Sequence, residues 1–266
     1  MTRLVPTFKR VVRYIVGPRF LVRRMLGREL RHGEPELGIL PLICDPTRTF
    51  VDVGANRGVY SYRALEFCSH VYALEAHPTL AAPLRRVLGR RGTVLNVAAS
   101  DKRGNAQLAI PFRDGVEVDT RSTLEANANP GFELRTTSVE TYPIDDLDLG
   151  PVGVIKIDVE GHEHSVLEGA IGTLTHDKPV VIVECEERHH AGGVERTFSL
   201  LEGLGYRGYF LQKGILRDGR EFDPKVLQDV DKASSGQIRT GEYINNFIFI
   251  HPERNSSLSR LRERYS

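Results

Sequence analysis

Short apolar runs alternate with segments of helical periodicity along most of the chain. The apolar runs predict seven β-strands, at residues 49–54, 70–75, 93–98, 152–158, 179–185, 207–212 and 245–251. The periodic segments predict helices at 58–68, 79–90, 163–176 and 194–205. This alternation indicates an α/β protein with a doubly wound, mostly parallel sheet of seven strands and helices on both faces. The last strand follows its predecessor without an intervening helical pattern, which favours an antiparallel pair at one edge of the sheet.

Residues 104–150 interrupt the alternation between the third and fourth core strands. Residues 106–110 and 136–142 have the composition of strands, and a polar loop lies between them at 115–130. An insertion at this point lies near the carboxyl ends of the strands, where sheets of this class bind ligands. Two interpretations stay open: residues 121–124 help to form an acceptor pocket, or the insertion is a hairpin that covers the sheet.

The first 31 residues are basic, with nine Lys and Arg side chains and one acid, although the whole chain has a net charge of only +1. Apolar positions recur at near-helical spacing and Gly17-Pro18 interrupts them, which predicts two short helices. These helices either pack on the main domain with their arginines in solvent, or touch an anionic membrane surface or an anionic acceptor. We expect no nucleic-acid partner, because the basic residues lack interleaved aromatic side chains for base stacking.

Three regions follow from these patterns. Residues 1–48 are predicted as a short basic helical extension with a linker at 34–46, 49–252 as the main domain, and 253–266 as a polar C-terminal tail. The 40% hydrophobic and 27% charged fractions are those of an ordinary globular protein. The three cysteines are widely spaced, which suits a reducing cytoplasm. No apolar run reaches the roughly 18 residues of a membrane span, and no secretory signal is evident, so we expect a cytoplasmic protein, with contact at the inner membrane face left open.

The most informative stretch is Val51-Asp52-Val53-Gly54-Ala55-Asn56-Arg57-Gly58, a buried strand that runs into a glycine-rich turn and then a helix. Such a turn is how doubly wound proteins hold a nucleotide, because glycine lets the backbone turn sharply and approach the ligand. Asp52 is polar where a core strand favours Val or Ile, so it needs a partner such as a ligand ammonium group. The turn Gly54-Ala55-Asn56-Arg57-Gly58 does not match the dinucleotide pattern G-x-G-x-x-G, which favours a ligand without a phosphate group.

Glu75 ends the second predicted strand, 23 positions after Asp52. An acid at this spacing can accept hydrogen bonds from ribose hydroxyl groups. The spacing is common to NAD-dependent dehydrogenases and S-adenosylmethionine-dependent methyltransferases, and the glycine turn favours the second class.

Four motifs together resemble the FkbM family of S-adenosylmethionine-dependent methyltransferases. They are Val51–Gly58, Leu74-Glu75, Asn96-Val97-Ala98-Ala99-Ser100-Asp101 and Ile155-Lys156-Ile157-Asp158-Val159-Glu160-Gly161. The resemblance covers roughly residues 49–251 and implies a Rossmann-like class I methyltransferase fold with S-adenosyl-L-methionine as cofactor. The cofactor-binding residues that it implies are Asp52, Gly54, Asn56, Gly58, Glu75, Ala98, Ser100 and Asp158. One departure is Ala76-His77-Pro78, because the family often has Pro directly after the acid.

Methyl transfer to an alcohol requires removal of the hydroxyl proton as the new bond forms. The candidate bases after the fourth motif are Asp158, Glu160 and His162, followed by Glu184 and His189 beyond the next strand. Lys156 lies in mid-strand, so we expect it to pair with an acid. His162, Glu184 and His189 lack the spacing of known metal motifs, so we predict no metal site.

The predicted function is O-methylation of a sugar hydroxyl, in a glycan, glycolipid or nucleotide-linked saccharide, or of a natural-product hydroxyl. A role in polysaccharide biosynthesis would follow from the first of these acceptors. Two alternatives remain: a nicotinamide-dependent oxidoreductase, and a non-catalytic module that binds S-adenosylmethionine and acts through protein contacts. The sequence leaves the oligomeric state open.

Overall fold

A large mixed sheet forms the centre of the computed structural model, which describes residues 17–118, 121–125, 131–229 and 243–266. The strands are β1 (Thr49–Val53), β2 (His70–Leu74), β3 (Gly92–Leu95), β4 (Ala98–Ala99), β5 (Gly104–Arg113), β6 (Val116–Glu117), β7 (Glu133–Tyr142), β8 (Val152–Ile157), β9 (Val180–Glu184), β10 (Arg207–Gln212), β11 (Ile215–Asp218) and β12 (Asn246–Ile250). Eight of them form the main sheet in the order β11-β10-β12-β9-β8-β1-β2-β3. The doubly wound α/β prediction is confirmed.

The sheet is parallel from β3 through β9, and β12 runs antiparallel between β9 and β10. The predicted antiparallel pairing is therefore confirmed, but its place at an edge is wrong, because β12 has a neighbour on each side. The edge is formed by β11, which the sequence pattern did not predict. It pairs with β10 across Lys213 and Gly214, whose φ angles of 52° and 81° are those of a tight hairpin turn.

The helices cover both faces of the sheet. They are α1 (Pro18–His32), α2 (Leu40–Ile43), α3 (Val59–Ala64), α4 (Pro78–Leu88), α5 (Glu163–Glu168), α6 (Ile171–His176), α7 (Gly193–Gly203), α8 (Pro224–Leu227) and α9 (Asn255–Arg264). The predicted helix at 163–176 is broken in two after Gly169, where an added Cβ would lie 2.0 Å from the Ser100 carbonyl oxygen. The Asp145 carboxylate then accepts hydrogen bonds from the backbone N–H groups of Gly172 and Thr173, each at 2.7 Å, so α6 starts anew.

The insertion forms a second sheet in the order β4-β7-β5-β6. Its main part is the long β5–β7 hairpin, in register from Gly104 opposite Thr141 to Phe112 opposite Glu133. The predicted third strand, at 93–98, is divided: β3 ends at Leu95, and Ala98–Ala99 pairs with β7 instead. A bridge between Ala109 and Thr123 fixes the loop at 121–125, the bridged loop, against this hairpin. The two interpretations of the insertion, an acceptor pocket and a covering hairpin, stay predictions.

The described part of the basic extension packs on the domain. Helix α1 buries Val22 and Leu26, and the Arg19 side chain donates a 2.8 Å hydrogen bond from Nε to the carbonyl oxygen of Val87 in α4. The first of the two predicted N-terminal helices lies outside the described residues. In the described part of the chain, no helix is both long enough and apolar enough to cross a membrane.

The segment predicted as a linker instead forms part of the core. Residues 35–38 form a 3₁₀ helix and α2 follows, and Leu37, Ile39, Leu40 and Ile43 are at most 3% exposed. The predicted polar tail also packs here, because α9 buries Leu261 and Arg260 donates from Nε to the Leu42 carbonyl oxygen at 2.7 Å. The prolines suggested a linker, but burial of the apolar residues between them determines the fold.

Glu36 in this segment is a buried carboxyl group, 3% exposed, whose burial raises its pKa to about 8. In the unfolded chain Glu36 ionises above pH 4.5, whereas in the folded protein it stays protonated up to about pH 8. The contribution of Glu36 to the free energy of unfolding is therefore lost as the pH rises from 4.5 toward 8. We expect Glu36→Gln, which stays neutral, to increase the free energy of unfolding by about 1–3 kcal/mol at pH 8.5 and by less at pH 5. Urea unfolding at both pH values measures this. Glu140→Gln, at an exposed position of β7, should change neither value, and equal stability of Glu36→Gln and wild type at pH 8.5 would contradict the expectation.

Candidate functional site

A cleft of about 620 Å³ opens at the carboxyl ends of β1, β2 and β8, where the glycine turn lies. Its polar lining includes Asn56, Glu75, Asp158, Glu160 and His162. Its apolar lining comes from the ends of the strands, from Leu108 of the second sheet and from the bridged loop, and includes Leu74, Val97, Ala98, Leu108 and Leu124. We call this the glycine-turn cleft.

The two glycines of the turn have different tasks. Gly54 has a φ of 75°, and an added Cβ would lie 1.8 Å from the carbonyl oxygen of Asp158, so only glycine lets β1 turn this close to β8. Gly58 has a φ of 80° and lies outside the cleft, where an added Cβ would lie 2.2 Å from Leu84 in α4. Gly58 was predicted to bind the cofactor, but its position is explained by close packing of α3 on α4.

We expect Gly54→Ala to lower the free energy of unfolding by about 1–3 kcal/mol and to weaken ligand binding in the glycine-turn cleft, because the new methyl group would push β1 and β8 apart. Thermal unfolding and titration with S-adenosylhomocysteine measure the two effects. Gly115→Ala is the matched control, since its φ is 73° but an added Cβ there meets nothing within 4 Å. It should cost backbone strain alone, and equal ligand affinity in both variants would contradict the steric argument.

Glu75 is held rigidly at the tip of β2. Its Oε2 accepts a 2.5 Å hydrogen bond from the Asn56 backbone N–H, and its Oε1 accepts one of 2.7 Å from the His77 backbone N–H. Burial raises the pKa of the carboxyl group to about 7, against the opposing effect of these two donors. The carboxyl group is therefore positioned before a ligand arrives and titrates near neutral pH.

Asp52 lies behind the turn and is 1% exposed. Its Oδ2 accepts a 2.5 Å hydrogen bond from Ser61 Oγ in α3, while Oδ1 has no hydrogen-bond partner among the described residues. Burial raises its pKa, and the nearby Lys156 ammonium opposes this rise. An unpartnered buried carboxylate oxygen is costly, so this position suits a cationic group.

A second cleft, of about 940 Å³, adjoins the first and is bounded by α1, α3 and the carboxyl ends of β1, β8 and β9. The two clefts share one wall, formed by Gly54, Asn56, Asp158 and Glu160. The carboxyl groups that line the second cleft come from Glu29, Glu34, Asp52, Asp158, Glu160 and Glu184. We call it the acidic cleft.

Lys156 is the buried cation at the floor of the acidic cleft. It donates from Nζ to Asp158 Oδ2 at 2.5 Å, which confirms the predicted pairing with an acid, and its ammonium lies 4.9 Å from the centre of the Tyr60 ring. Burial alone would lower the pKa of Lys156, but Asp158 and the other carboxylates raise it above its usual range. Lys156 therefore remains charged and fixes one oxygen of Asp158.

The acidic cleft is closed on one side by the segment that follows α1. Tyr60 donates from its hydroxyl to Glu34 Oε2 at 2.7 Å, and burial raises the pKa of Glu34. On the opposite side, Asn245 donates to Glu184 Oε1 at 2.6 Å, and burial raises the pKa of Glu184. The cleft thus brings together several carboxyl groups, whose oxygens accept hydrogen bonds from hydroxyl and amide donors.

The two candidate histidines make different contacts. His162 is held by both ring nitrogens, with Nδ1 2.7 Å from Glu125 Oε1 and Nε2 3.0 Å from Ser100 Oγ. His189 lies outside both clefts, with its Nε2 3.1 Å from Glu160 Oε2. These contacts make His162 a tether between the bridged loop and Ser100, and make His189 a support for Glu160.

The clefts gather most of the residues that the sequence singled out. Gly54, Asn56, Glu75, Ala98 and Asp158 line the glycine-turn cleft, while Ser100 lies behind His162. Among the candidate bases, Asp158 and Glu160 line both clefts, His162 lines the first, Glu184 lines the second and His189 lines neither. In the described parts of the chain, no group of three or more His, Cys, Asp or Glu side chains has the arrangement of a metal site.

Sequence reasoning missed Glu34, Tyr60 and Glu125 as parts of the site. Glu34 lies in the segment predicted as a linker, and no local pattern places it opposite β8. Glu125 follows the bridged loop, so its contact with His162 depends on the hairpin that holds that loop. A polar residue just outside an apolar buried segment, as Glu34 is beside Leu37, is the one signal that could have drawn attention to it.

Comparison with known proteins identifies the family. The model of the Methyltransferase FkbM domain matches residues 52–208, which is more than half of the chain. Three solved structures resemble it in fold. The first is Methyltransferase FkbM from Methylobacillus flagellatus KT (17% identity, 77% of this chain and 44% of that chain, TM-score 0.49). The second is the O-methyltransferase from Bacillus cereus in complex with SAH (14% identity, 87% of this chain and 89% of that chain, TM-score 0.45). The third is an rRNA methylase from Streptococcus thermophilus (9% identity, 81% of this chain and 93% of that chain, TM-score 0.44).

The present chain thus spans less than half the length of the Methylobacillus protein. A search of curated proteins gave no match. The match to the family model extends from Asp52 to Gly208 in β10, so it includes the four motifs found in the sequence except for Val51. The chain belongs to the FkbM methyltransferase domain family.

Proposed function

We propose that this chain is an S-adenosylmethionine-dependent O-methyltransferase, with the cofactor in the glycine-turn cleft and the acceptor hydroxyl in the acidic cleft. The observation that carries the proposal is the shared wall of Gly54, Asn56, Asp158 and Glu160. Transfer of a group between two molecules requires adjoining sites that open to each other at the reacting atoms. These clefts adjoin at that wall.

The residues of the glycine-turn cleft fit this cofactor. Glu75 can accept hydrogen bonds from ribose hydroxyls, and Val97, Ala98 and Leu108 offer an apolar surface to a flat base. Gly54 leaves room where a side chain would collide with β8. The Asp158 carboxyl group, which lines this cleft, favours a cationic ligand, and Asp52 lies behind the glycine turn in the lining of the acidic cleft. When bound, S-adenosylmethionine supplies a methyl group on a positively charged sulfur.

Asp158 is the residue best placed to take the hydroxyl proton of the acceptor. It lines both clefts, and its side chain is 30% exposed although Lys156 binds one of its oxygens. The hydrogen bond from Lys156 fixes the orientation of this carboxyl group, as a general base requires. His162 already has a partner at each ring nitrogen, so its contacts favour a positioning role.

The acceptor class that fits the acidic cleft is a molecule with several hydroxyl groups. Carboxyl groups accept hydrogen bonds from hydroxyl donors, and six of them, from residues that the structure describes, line this cleft. A saccharide, whether in a glycan, a glycolipid or a nucleotide-linked sugar, has this pattern, and a polyhydroxylated natural product shares it.

Calorimetric titration with S-adenosylhomocysteine, with NADH as the paired control, tests the cofactor. We expect micromolar binding of S-adenosylhomocysteine alone. Binding of NADH alone would replace the proposal with a nicotinamide-dependent oxidoreductase. Methyl transfer from labelled S-adenosylmethionine to saccharide pools then tests catalysis, and cofactor binding without transfer to any acceptor pool would favour a non-catalytic module.

A further inference from the structure

A third groove, of about 2230 Å³, lies between α1 and α4 and is larger than either cleft. Its floor is aliphatic and is formed by Leu21, Val22, Leu80, Pro83, Leu84 and Val87. Its other lining residues include five arginines, Arg24, Arg28, Arg31, Arg57 and Arg86. We call it the arginine groove.

The walls of the arginine groove are fixed parts of the fold. Val22 on α1 and Val87 on α4 are at most 4% exposed, and Arg19 ties the two helices through its hydrogen bond to the Val87 carbonyl oxygen. The hydrophobic contact and this bond keep the helices at a constant spacing. The groove is therefore present before any ligand binds.

The charge of the groove is strongly positive. Among the described residues that line it, Glu117 is the one acid against five arginines, and its Oε1 lies 3.1 Å from His77 Nε2. Arg28 pairs with Glu29 at 2.9 Å, but its side chain remains 76% exposed. Like-charged groups around the groove repel one another, and exposure of its apolar surface to water is also unfavourable. An anionic ligand with an apolar part reduces both the repulsion and the exposure.

The arginine groove continues into the acidic cleft. Met25 and Arg57 line both of them, and the acidic cleft shares its wall with the glycine-turn cleft. One extended molecule can therefore lie with a hydroxyl-rich head beside Asp158 and an anionic, apolar part between α1 and α4. The arginine groove, with its apolar and cationic lining, therefore comes first, the acidic cleft second, and the wall shared with the glycine-turn cleft third.

We propose that the acceptor is a saccharide joined through phosphate to an apolar chain. The arginine groove binds the phosphate and the apolar chain of this acceptor. This inference rests on the proposed function and narrows its substrate class. Arginine binds phosphate in a bidentate manner, and the aliphatic floor matches a hydrocarbon chain. A nucleotide-linked sugar would instead profit from aromatic stacking, and no aromatic residue lines the described groove. A free saccharide needs neither the arginines nor the apolar floor.

Titration with dodecyl phosphate, below its micelle concentration, tests the groove on the whole 266-residue chain. We expect wild type to bind it at least about tenfold more tightly than inorganic phosphate or dodecyl maltoside, which lack the chain or the charge. The double variant Arg24→Gln/Arg31→Gln should weaken dodecyl phosphate binding by about tenfold or more. Arg23→Gln is the matched control, because Arg23 is exposed on the same helix but lies outside the groove, and it should bind as wild type does.

The outcomes separate this inference from the proposed function. If S-adenosylhomocysteine binds but dodecyl phosphate does not, or binds equally well to the double variant, the groove is not a lipid phosphate site and the methyltransferase proposal stands. If S-adenosylhomocysteine fails to bind, the proposed function falls and takes the acceptor role of the groove with it. Binding to vesicles of phosphatidylglycerol and phosphatidylcholine, without binding of monomeric dodecyl phosphate, would overturn the inference in favour of a membrane-surface contact.

Discussion

Asp158→Asn is expected to lower kcat for methyl transfer by about 10²–10⁴-fold, with a change of less than roughly threefold in the affinity for S-adenosylhomocysteine. The amide keeps the size of the side chain and can still accept the hydrogen bond from Lys156, but it cannot take the hydroxyl proton. Its effect therefore belongs to the chemical step. Single-turnover transfer to a saccharide fraction that accepts the methyl group, combined with calorimetry of the cofactor product, separates the two quantities.

The control for this variant is Asp148→Asn, at an exposed position before β8 that lines neither cleft. It should leave kcat unchanged. Retention of kcat by Asp158→Asn would move the base to another carboxyl group of the acidic cleft, and Glu184 is the candidate that faces the same space. A large loss of cofactor affinity instead would make Asp158 a binding residue without a proton-transfer role.

The fold follows from the sequence wherever neighbouring residues decide the structure. The core strands β1, β8 and β9 are apolar runs buried on both faces, so their pattern predicts them directly. Predictions failed where a distant contact decides. Gly169 breaks a helix because Ser100 lies against it, and Ala98–Ala99 leaves the third strand because β7 offers another partner. Neither partner is close in sequence.

The site follows the same rule. Asp52 lies in β1, Gly54 in the turn after it and Glu75 at the tip of β2. The spacing of these elements along the chain brings all three to the carboxyl end of the parallel strands. The acidic cleft could not be predicted, because it needs Glu34 from a segment outside the strand–helix alternation. Its prolines made this segment resemble a linker. Pro35 and Pro41 instead lie in the first turns of short helices, where proline is well tolerated.

Glu75→Gln is expected to weaken S-adenosylhomocysteine binding by about 10–100-fold at pH 8, because hydrogen bonds to a charged acceptor contribute about 1.5–3 kcal/mol. The amide can accept but carries no charge, and its NH₂ group would face one of the two backbone donors that now bind the carboxylate, from Asn56 and His77. Calorimetry at pH 8 measures the loss. Unchanged affinity would refute the role of Glu75 in the cleft.

The pH dependence of binding gives a second, independent signature of the same residue. Burial raises the pKa of Glu75 to about 7, and ribose hydroxyl donors favour the ionised form, so wild-type affinity should rise between pH 5.5 and 8. The ligand-free protein has the opposite sign: the stability that Glu75 contributes is present below pH 4.5 and is lost as the pH rises through 7. Ligand-free Glu75→Gln should therefore unfold no more easily than wild type at pH 8, which separates weak binding from misfolding.

Glu163→Gln is the matched control for this titration. Burial also raises the pKa of Glu163 to about 7, but its Oε1 accepts from the Gly161 backbone N–H and it lines neither cleft. If Glu75 is the group that titrates in the cleft, the rise in affinity with pH disappears in Glu75→Gln and persists in Glu163→Gln. The reverse pattern would show that the pH dependence of binding comes from a group other than Glu75. The hydrogen bonds to Glu75 from Asn56 and His77 would then only stabilise the glycine turn.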